Sequence, residues 1–186
     1  MASSYSTDLK LELMVTGENA GTWGDITNTN LNILQQAIAG YESVALNATT
    51  GATLTFSNGV TSNGKNAVLN LTGTLTSSVN VVIPDGVEKT YTVKNATTGS
   101  YAVTFKTTSG SGATWAAADK GVKLLYSDGT NVTDVNSQLK TISLFTLPAV
   151  DGTSGQAILT DGTGTLSFGN AGISTGKAIA MAIVFG

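Results

Sequence analysis

The sequence contains no cysteine, no histidine and no arginine, and each absence excludes a kind of chemistry. Without cysteine there is no disulfide framework, thiolate nucleophile or zinc-thiolate site. Without histidine, the usual Ser-His-Asp and Cys-His arrangements are impossible. The basic residues are nine lysines, so no guanidinium fork can bind phosphate or a guanine edge. We therefore expect a protein that is not an enzyme, with no catalytic residue, no cofactor and no metal site.

Charge is also scarce, because only 11% of the residues are charged and the net charge is -3. Ordinary globular domains carry about 25% charged residues. Nucleic-acid binding depends on clustered positive charge, so we expect no nucleic-acid partner. Hydrophobic residues make up 41%, which is enough for a core, and 22 glycines accompany many Thr, Ser and Asn residues. This composition predicts β-structure with many tight turns.

Long apolar runs are missing as well. The first six residues are polar and do not form the basic and apolar regions of a signal peptide. The apolar run Ala178–Phe185 is much shorter than the ~20 residues of a membrane helix. We therefore expect synthesis in a cytoplasm, no membrane insertion, and an extracellular role only after release of an assembled particle.

Residues 1–45 form the only region with a helical pattern. Leu31, Leu34 and Ile38, with Ile33 and Ala37, mark an apolar stripe at helical spacing. Asp25 or Thr27 can cap the start of the helix, and Gly40 can end it. The pattern predicts a helix over residues 27–39, whereas residues 9–15 suit a strand or a helical turn. Trp23 is expected to pack back onto the helix as an anchor. We interpret this region as an attachment module built by Trp23, Leu31, Leu34 and Ile38.

Residues 46–140 have the pattern of a compact β-domain. Short runs rich in β-branched and aromatic residues are separated by Asn-Gly and Asp-Gly pairs, which favour tight turns. Such spacing predicts a central antiparallel β-sandwich, with Trp115 filling one end of its core. The predicted strands are residues 53–57, 67–72, 79–83, 90–94, 102–107, 122–127 and 132–135.

Residues 141–186 are rich in Gly, Ser and Thr and carry few large apolar side chains. A single segment of this kind cannot bury enough surface to fix its own conformation, whereas several copies wound together can. The last ten residues alternate large and small apolar side chains, which predicts a strand buried on both faces. We therefore predict an intertwined β segment that holds a trimer together through Ile158, Phe168, Ile179, Met181, Ile183 and Phe185.

A resemblance to phage proteins covers most of the chain. Residues 9–31, which include Gly21-Thr22-Trp23-Gly24-Asp25, resemble the N-terminal module of tail-fibre-like virion proteins of phages that infect marine bacteria. Residues 73–99 and 126–132 look like the β-module that follows it, and Gly152–Gly162 is similar to a stretch of trimeric phage fibres. Gly176–Gly186 looks like an ending of marine phage structural proteins. The resemblance implies a homotrimer with an N-terminal attachment part and a distal exposed part.

These observations lead to one functional expectation. The chain is expected to be a structural component of a bacteriophage virion, a homotrimeric short fibre, decoration or adaptor protein. Its expected partners are capsid, neck or tail proteins, and its expected location is the virion. A chain of 186 residues is short for a fibre that must reach the host, which favours decoration, head-fibre or adaptor roles.

Two other functions stay open at this point. A carbohydrate-binding adhesin would recognise a host surface glycan through an exposed aromatic residue, with Tyr91, Tyr101, Trp115 and Tyr126 as candidates. A polysaccharide depolymerase needs only two carboxylates, although the acidic residues here are few and scattered. The Asn-x-Thr triplets that begin at Asn47, Asn70, Asn95 and Asn131 match the glycosylation pattern, but the Thr- and Asn-rich composition explains them.

Overall fold

The computed structural model describes residues 2–138, 141–142, 145–170 and 183–184. They form two compact units, Met1–Ser137 and Gln138–Gly186. The expectation of a mainly β protein with an N-terminal helix is confirmed. The border between the units lies close to the predicted one, but Tyr41–Ala45, which we assigned to the attachment module, is a strand of the central sheet system.

The first unit begins with a small hairpin of β1 (Ser4–Tyr5) and β2 (Glu12–Leu13), followed by helix α1 (Trp23–Ala39). The helix starts four residues before the predicted position. The amide of Trp23 donates to the carbonyl of Asn19 (2.9 Å), so a hydrogen-bonded turn leads directly into the helix. At the other end the amide of Gly40 donates to the carbonyl of Gln36 (2.9 Å), and the chain then becomes extended, as expected.

Nine strands follow the helix and belong to two sheets. They are β3 (Tyr41–Ala45), β4 (Gly51–Thr53), β5 (Val68–Thr72), β6 (Val79–Ile83), β7 (Glu88–Asn95), β8 (Val103–Thr107), β9 (Gly112–Trp115), β10 (Val122–Asp128) and β11 (Val132–Asp134). A short 3-10 turn, Asn63–Lys65, lies between β4 and β5. Six of these strands overlap predicted segments over most of their length, whereas the predicted strand 53–57 shares only Thr53 with β4, and β3 and β9 were not predicted.

The antiparallel arrangement predicted for this region is wrong for four of its seven strand pairings. The five-stranded sheet has the order β11-β10-β7-β5-β3, and the four-stranded sheet has the order β4-β6-β8-β9. From β3 to β8 the chain alternates between the sheets, so β3, β5 and β7 pair in parallel, as do β4, β6 and β8. Only the later pairs, β8–β9, β7–β10 and β10–β11, are antiparallel. Between β3 and β8 the turns connect strands of different sheets, so they do not produce hairpins within one sheet.

Both sheets contribute to one hydrophobic core. Leu69, Leu71 and Val93 come from the five-stranded sheet, and Val81 and Phe105 come from the four-stranded sheet; all five are fully buried. The rings of Tyr91 and Phe105, one from each sheet, lie 5.3 Å apart at a tilted angle. Trp115 on β9 is fully buried, in agreement with the predicted core role. The two sheets therefore belong to one cooperative folding unit.

The described residues of the second unit form two small hairpins. They consist of β12 (Thr141–Ile142) with β13 (Phe145–Thr146), and β14 (Gln156–Thr160) with β15 (Leu166–Asn170). A second 3-10 turn, Val135–Gln138, spans the border between the units. No helix among the described residues is long and apolar enough to cross a membrane.

Candidate interaction surfaces

The four residues assigned to the attachment module lie on one exposed side of α1. At about 100° per residue, they fall within an arc of roughly 80° on the helix surface. Their exposed fractions are 64% for Trp23, 56% for Leu31, 36% for Leu34 and 79% for Ile38. Ile33, outside this arc, is fully buried. The prediction that Trp23 packs as an anchor is therefore wrong, because its ring projects from the first turn of the helix into solvent.

Other sides of α1 hold the helix in place. The amide of Ala67 donates to the carbonyl of Gln36 (3.0 Å), and the Lys89 ammonium donates to the carbonyl of Ala37 (3.4 Å). Near the N-terminal hairpin, Asn30 accepts from the amide of Glu12 (3.0 Å) and donates to its carbonyl (2.9 Å). These bonds fix the helix at its middle and at its C-terminal end, while its arc of large apolar residues stays exposed. We call Trp23, Leu31, Leu34 and Ile38 the helix face.

The outer side of the five-stranded sheet is a second exposed apolar surface. Alternation along each strand places the buried residues inward and their neighbours outward. Outward residues with large exposed apolar side chains are Tyr41 on β3 and Val122, Leu124 and Tyr126 on β10. Around them are threonines, Ser43, Asn70 and three charged side chains, Lys94, Glu88 and Asp128. We call this outer side the sheet face.

The outer side of the four-stranded sheet differs in chemistry. Its outward positions include Asn80, Lys106 and the facing pair Thr104 and Thr114, whose hydroxyl oxygens lie 2.9 Å apart. None of the large exposed hydrophobic residues among the described positions belongs to this sheet. The two outer sides are therefore unequal, and the sheet face is the more apolar of the two.

Sequence reasoning missed the sheet face, although a signal for it is present. In Val122-Lys123-Leu124-Leu125-Tyr126 apolar residues occupy both sides of a strand, and only Leu125 is buried in the core. Such a segment predicts a strand that is buried on both of its sides. The core of the chain buries one side, and the outward side chains of Val122, Leu124 and Tyr126 stay exposed.

The second unit lacks a core of its own in the part that the structure describes. From residue 145 to residue 170 every side chain is exposed or only half-buried. The predicted interface residues Ile158 and Phe168 face each other across β14 and β15, and Ile158 is 59% exposed. The hairpin therefore brings these two predicted residues together and leaves their surroundings open.

The predicted terminal strand is wrong at the two positions that can be compared. Ile183 and Val184 are helical and exposed. Alanine at alternate neighbouring positions favours helix, which apolar alternation alone does not reveal. The other predicted interface residues there, Ile179, Met181 and Phe185, lie outside the described residues.

Two of the four aromatic residues proposed for glycan binding are unavailable. Tyr91 and Trp115 are fully buried, and their polar atoms donate to the carbonyls of Gly64 (3.1 Å) and Gly121 (3.0 Å). Burial raises the pKa of Tyr91 far above its usual value. Only Tyr101 and Tyr126 are partly exposed, and they are the two that can contact a ligand.

Lys65 is a fully buried lysine that donates to two backbone carbonyls, those of Ser57 (2.7 Å) and Val60 (2.6 Å). Burial, with a smaller contribution from the charge of Lys10, lowers the pKa of Lys65 to about 8. The neutral amine keeps two N–H donors, which match the two carbonyls. Lys65 therefore stabilises the loop between β4 and β5, and its buried amine is not accessible to a substrate.

The acidic side chains hold turns. Asp161 accepts from the amides of Thr163 (2.8 Å) and Thr165 (3.0 Å), and bonds from the Thr163 hydroxyl and these amides keep its pKa well below its usual value. An open pocket of about 350 Å³ beside this turn is lined by Phe145, two threonines and two glycines. Among the described residues no group of three or more potential metal ligands occurs.

The comparisons with known proteins add no family assignment. No protein-family model, no curated protein and no solved structure matches the chain.

Proposed function

We propose that this chain is a non-enzymatic structural subunit of a bacteriophage particle that works as a homotrimer. One observation supports the oligomer most strongly. The described residues 145–170 of the second unit include no buried side chain, although Ile158, Leu159 and Val150 are large and apolar. A pair of small hairpins without a core is at best marginally stable in water.

Association with further copies supplies the missing core. Burying apolar surface stabilises by roughly 25 cal/mol per Å². Each additional copy would cover the apolar side chains and the strand edges of its neighbours. Because Ile158 and Phe168 already face each other within one hairpin, the same pair can pack against its equivalents around a common axis.

The phage particle as the setting rests on the sequence. Residues 9–31, 73–99, 152–162 and 176–186 resemble segments of tail-fibre-like virion proteins, in the same order along the chain. The low charge and the paucity of titratable groups fit a mechanical role, since structural assembly needs surface complementarity and no proton transfer. A short fibre, decoration or adaptor protein on the capsid, neck or tail satisfies these features.

The first experiment is the mass of the purified full chain by light scattering. We expect three times the chain mass of 18.8 kDa at micromolar concentration. A mass equal to one chain at every concentration would contradict the trimer.

The location on a phage particle is tested separately by immunogold electron microscopy of purified phage particles that carry the gene. Label on the capsid, neck or tail is expected, and particles without label would contradict the virion role.

A further inference from the structure

The loop between β4 and β5 contains the tripeptide Ser-Asn-Gly twice, at Ser57–Gly59 and at Ser62–Gly64. Asparagine is one of the chemically labile residues of proteins. It is most labile before glycine, because glycine has no side chain to shield its backbone nitrogen from the asparagine amide carbon. The two tripeptides are identical, so their surroundings in the folded protein decide which asparagine can react.

The second pair, Asn63-Gly64, is held by three hydrogen bonds to one residue. Asn63 Oδ1 accepts from the amide of Thr55 (2.7 Å) and from its hydroxyl (3.1 Å), and the amide of Gly64 donates to the carbonyl of Thr55 (3.2 Å). Gly64 is buried in a 3-10 turn, and a Cβ added there would collide with the ring of Phe56. All three bonds must break before the amide carbon of Asn63 and the nitrogen of Gly64 are free to react.

The first pair, Asn58-Gly59, is held by one hydrogen bond. Asn58 is exposed at a turn, and its side chain has no hydrogen bond to any residue that the structure describes. The amide of Gly59 donates to the carbonyl of Lys10 (2.8 Å), in the loop of the N-terminal hairpin. Lys10 has a φ of 56°, which residues with a side chain rarely adopt, and the hairpin has only two residue pairs. Such a short hairpin opens locally at little cost, and opening frees the nitrogen of Gly59.

We infer that Asn58 is a site of spontaneous deamidation, whereas Asn63 is protected by the fold. The nitrogen of Gly59 attacks Cγ of Asn58 and forms a C–N bond. The bond from Cγ to Nδ2 breaks, and Nδ2 leaves as ammonia with the proton that the nitrogen of Gly59 loses. Water then opens the resulting five-membered succinimide ring at one of its two carbonyls, which gives aspartate or isoaspartate at position 58. The net reaction consumes one water and releases one ammonia, without an enzyme, oxidant or reductant.

This modification alters the segment that holds a buried lysine. The carbonyls on either side of the pair, those of Ser57 (2.7 Å) and Val60 (2.6 Å), accept from the ammonium of Lys65. Each conversion adds one negative charge between these two positions, and isoaspartate also adds a methylene to the backbone there. The reaction therefore changes both the charge and the course of the chain where the first unit binds Lys65.

The test compares the folded full-length chain with the same chain unfolded in guanidinium chloride, both at neutral pH. Incubation lasts until both asparagines have converted in the unfolded chain, and peptide mapping by mass spectrometry follows each asparagine separately. In the unfolded chain the two should react at similar rates, because their neighbours are the same. In the folded chain Asn58 should react about 30-fold faster than Asn63, because two more hydrogen bonds hold the Asn63 pair. Circular dichroism before and after incubation verifies that this sample stays folded.

Isoelectric focusing of the folded protein provides the control. Deamidation changes the net charge from -3 to -4, since one neutral amide becomes one carboxylate. Asn58→Asp marks the position of this product, and Asn58→Ser, a change at an exposed residue, should stay at the original position over the same time. Equal conversion of Asn58 and Asn63 in the folded chain would overturn the inference. So would a folded chain whose Asn58 stays intact while both asparagines of the unfolded chain convert.

Discussion

At the scale of single residues, several polar side chains stabilise turns through hydrogen bonds, which hydrophobic burial cannot provide. The identical pentapeptides Asn47–Gly51 and Asn95–Gly99 both form a turn in which the Asn side-chain oxygen accepts from the amide two residues later, at 3.0 Å and 3.2 Å. Both end on a glycine with positive φ, 79° and 91°, which other residues rarely adopt. We attributed these Asn-x-Thr triplets to composition alone, and the structure gives them a local purpose.

The two asparagines of these pentapeptides form a matched pair for mutation. Asn95 is fully buried and also donates to the carbonyl of Asp119 (3.0 Å), whereas Asn47 is exposed. Asn95→Ala should destabilise by about 2–4 kcal/mol, because it leaves buried partners unpaired, and Asn47→Ala by about 1 kcal/mol or less. Urea unfolding measures both. Equal losses would show that burial does not decide the strength of this turn.

Lys65 makes the stability of the first unit depend on pH. Its pKa is about 8 in the folded protein and 10.5 as the ordinary value, so between these values the unfolded chain binds the extra proton. The free energy of unfolding should therefore rise with pH in this window, by about 2 kcal/mol from pH 7.5 to 9.5. Well below pH 8, Lys65 is protonated in both the folded and the unfolded chain, so its titration no longer changes the free energy of unfolding. Above pH 10 the raised pKa of buried Tyr91 acts in the opposite direction.

The matched control for this pH effect is Lys65→Met, measured by urea unfolding at the same pH values. Lys89, whose pKa burial also lowers, is present in both proteins and cancels in the difference. The wild type should gain stability relative to the variant as the pH rises. A pH-independent difference between the two proteins would mean that Lys65 does not titrate in this range.

At the scale of elements, the local sequence pattern predicted the positions of most strands correctly but not which strands pair with each other. The segments predicted for β6, β8 and β10 agree with the structure to within a residue at each end. Their pairing does not, because tight turns followed by strands suit a hairpin and a passage to the other sheet equally. The offset between paired strands is 24 residues for β5–β7 and for β6–β8, and the two pentapeptides are separated by twice this offset. From this repeated spacing one could have predicted that successive strands of each sheet pair in parallel.

The helix shows the same limit. The predicted apolar stripe included Ile33, which the structure buries, but also Leu31, Leu34 and Ile38, which are exposed. A helix with apolar residues over a wide arc can place either part of that arc against its sheet. Tertiary contacts, among them the bonds from Ala67 and Lys89 to the last carbonyls of the helix, decide which part is buried.

At the scale of the whole molecule, the contrast between the two units is the feature with the clearest consequence. The first has fully buried side chains from both sheets, whereas the described part of the second has none. In the proposed homotrimer, the stability of the second unit should therefore depend on protein concentration.

This dependence can be measured with Ile158→Asp. In a single chain the change affects a side chain that is 59% exposed and should alter stability by less than ~0.5 kcal/mol. In a trimer it would place a charge in the shared core and shift the mass towards that of one chain, as light scattering would show. Ser167→Asp on the paired strand, where the side chain is exposed, is the control. An unchanged trimer in Ile158→Asp would contradict the role of this residue in assembly.

The sequence by itself determined the chemistry that is impossible here, the positions of most strands and turns, and the contrast between an apolar β-domain and a thin C-terminal segment. These properties depend on residue identity and on neighbours within a few positions. Tertiary structure alone decided the parallel pairing, the burial of Tyr91, and the exposure of the helix face and the sheet face. Such properties depend on contacts between distant residues, because every strand with apolar residues on both sides has more possible partners than its own sequence can distinguish.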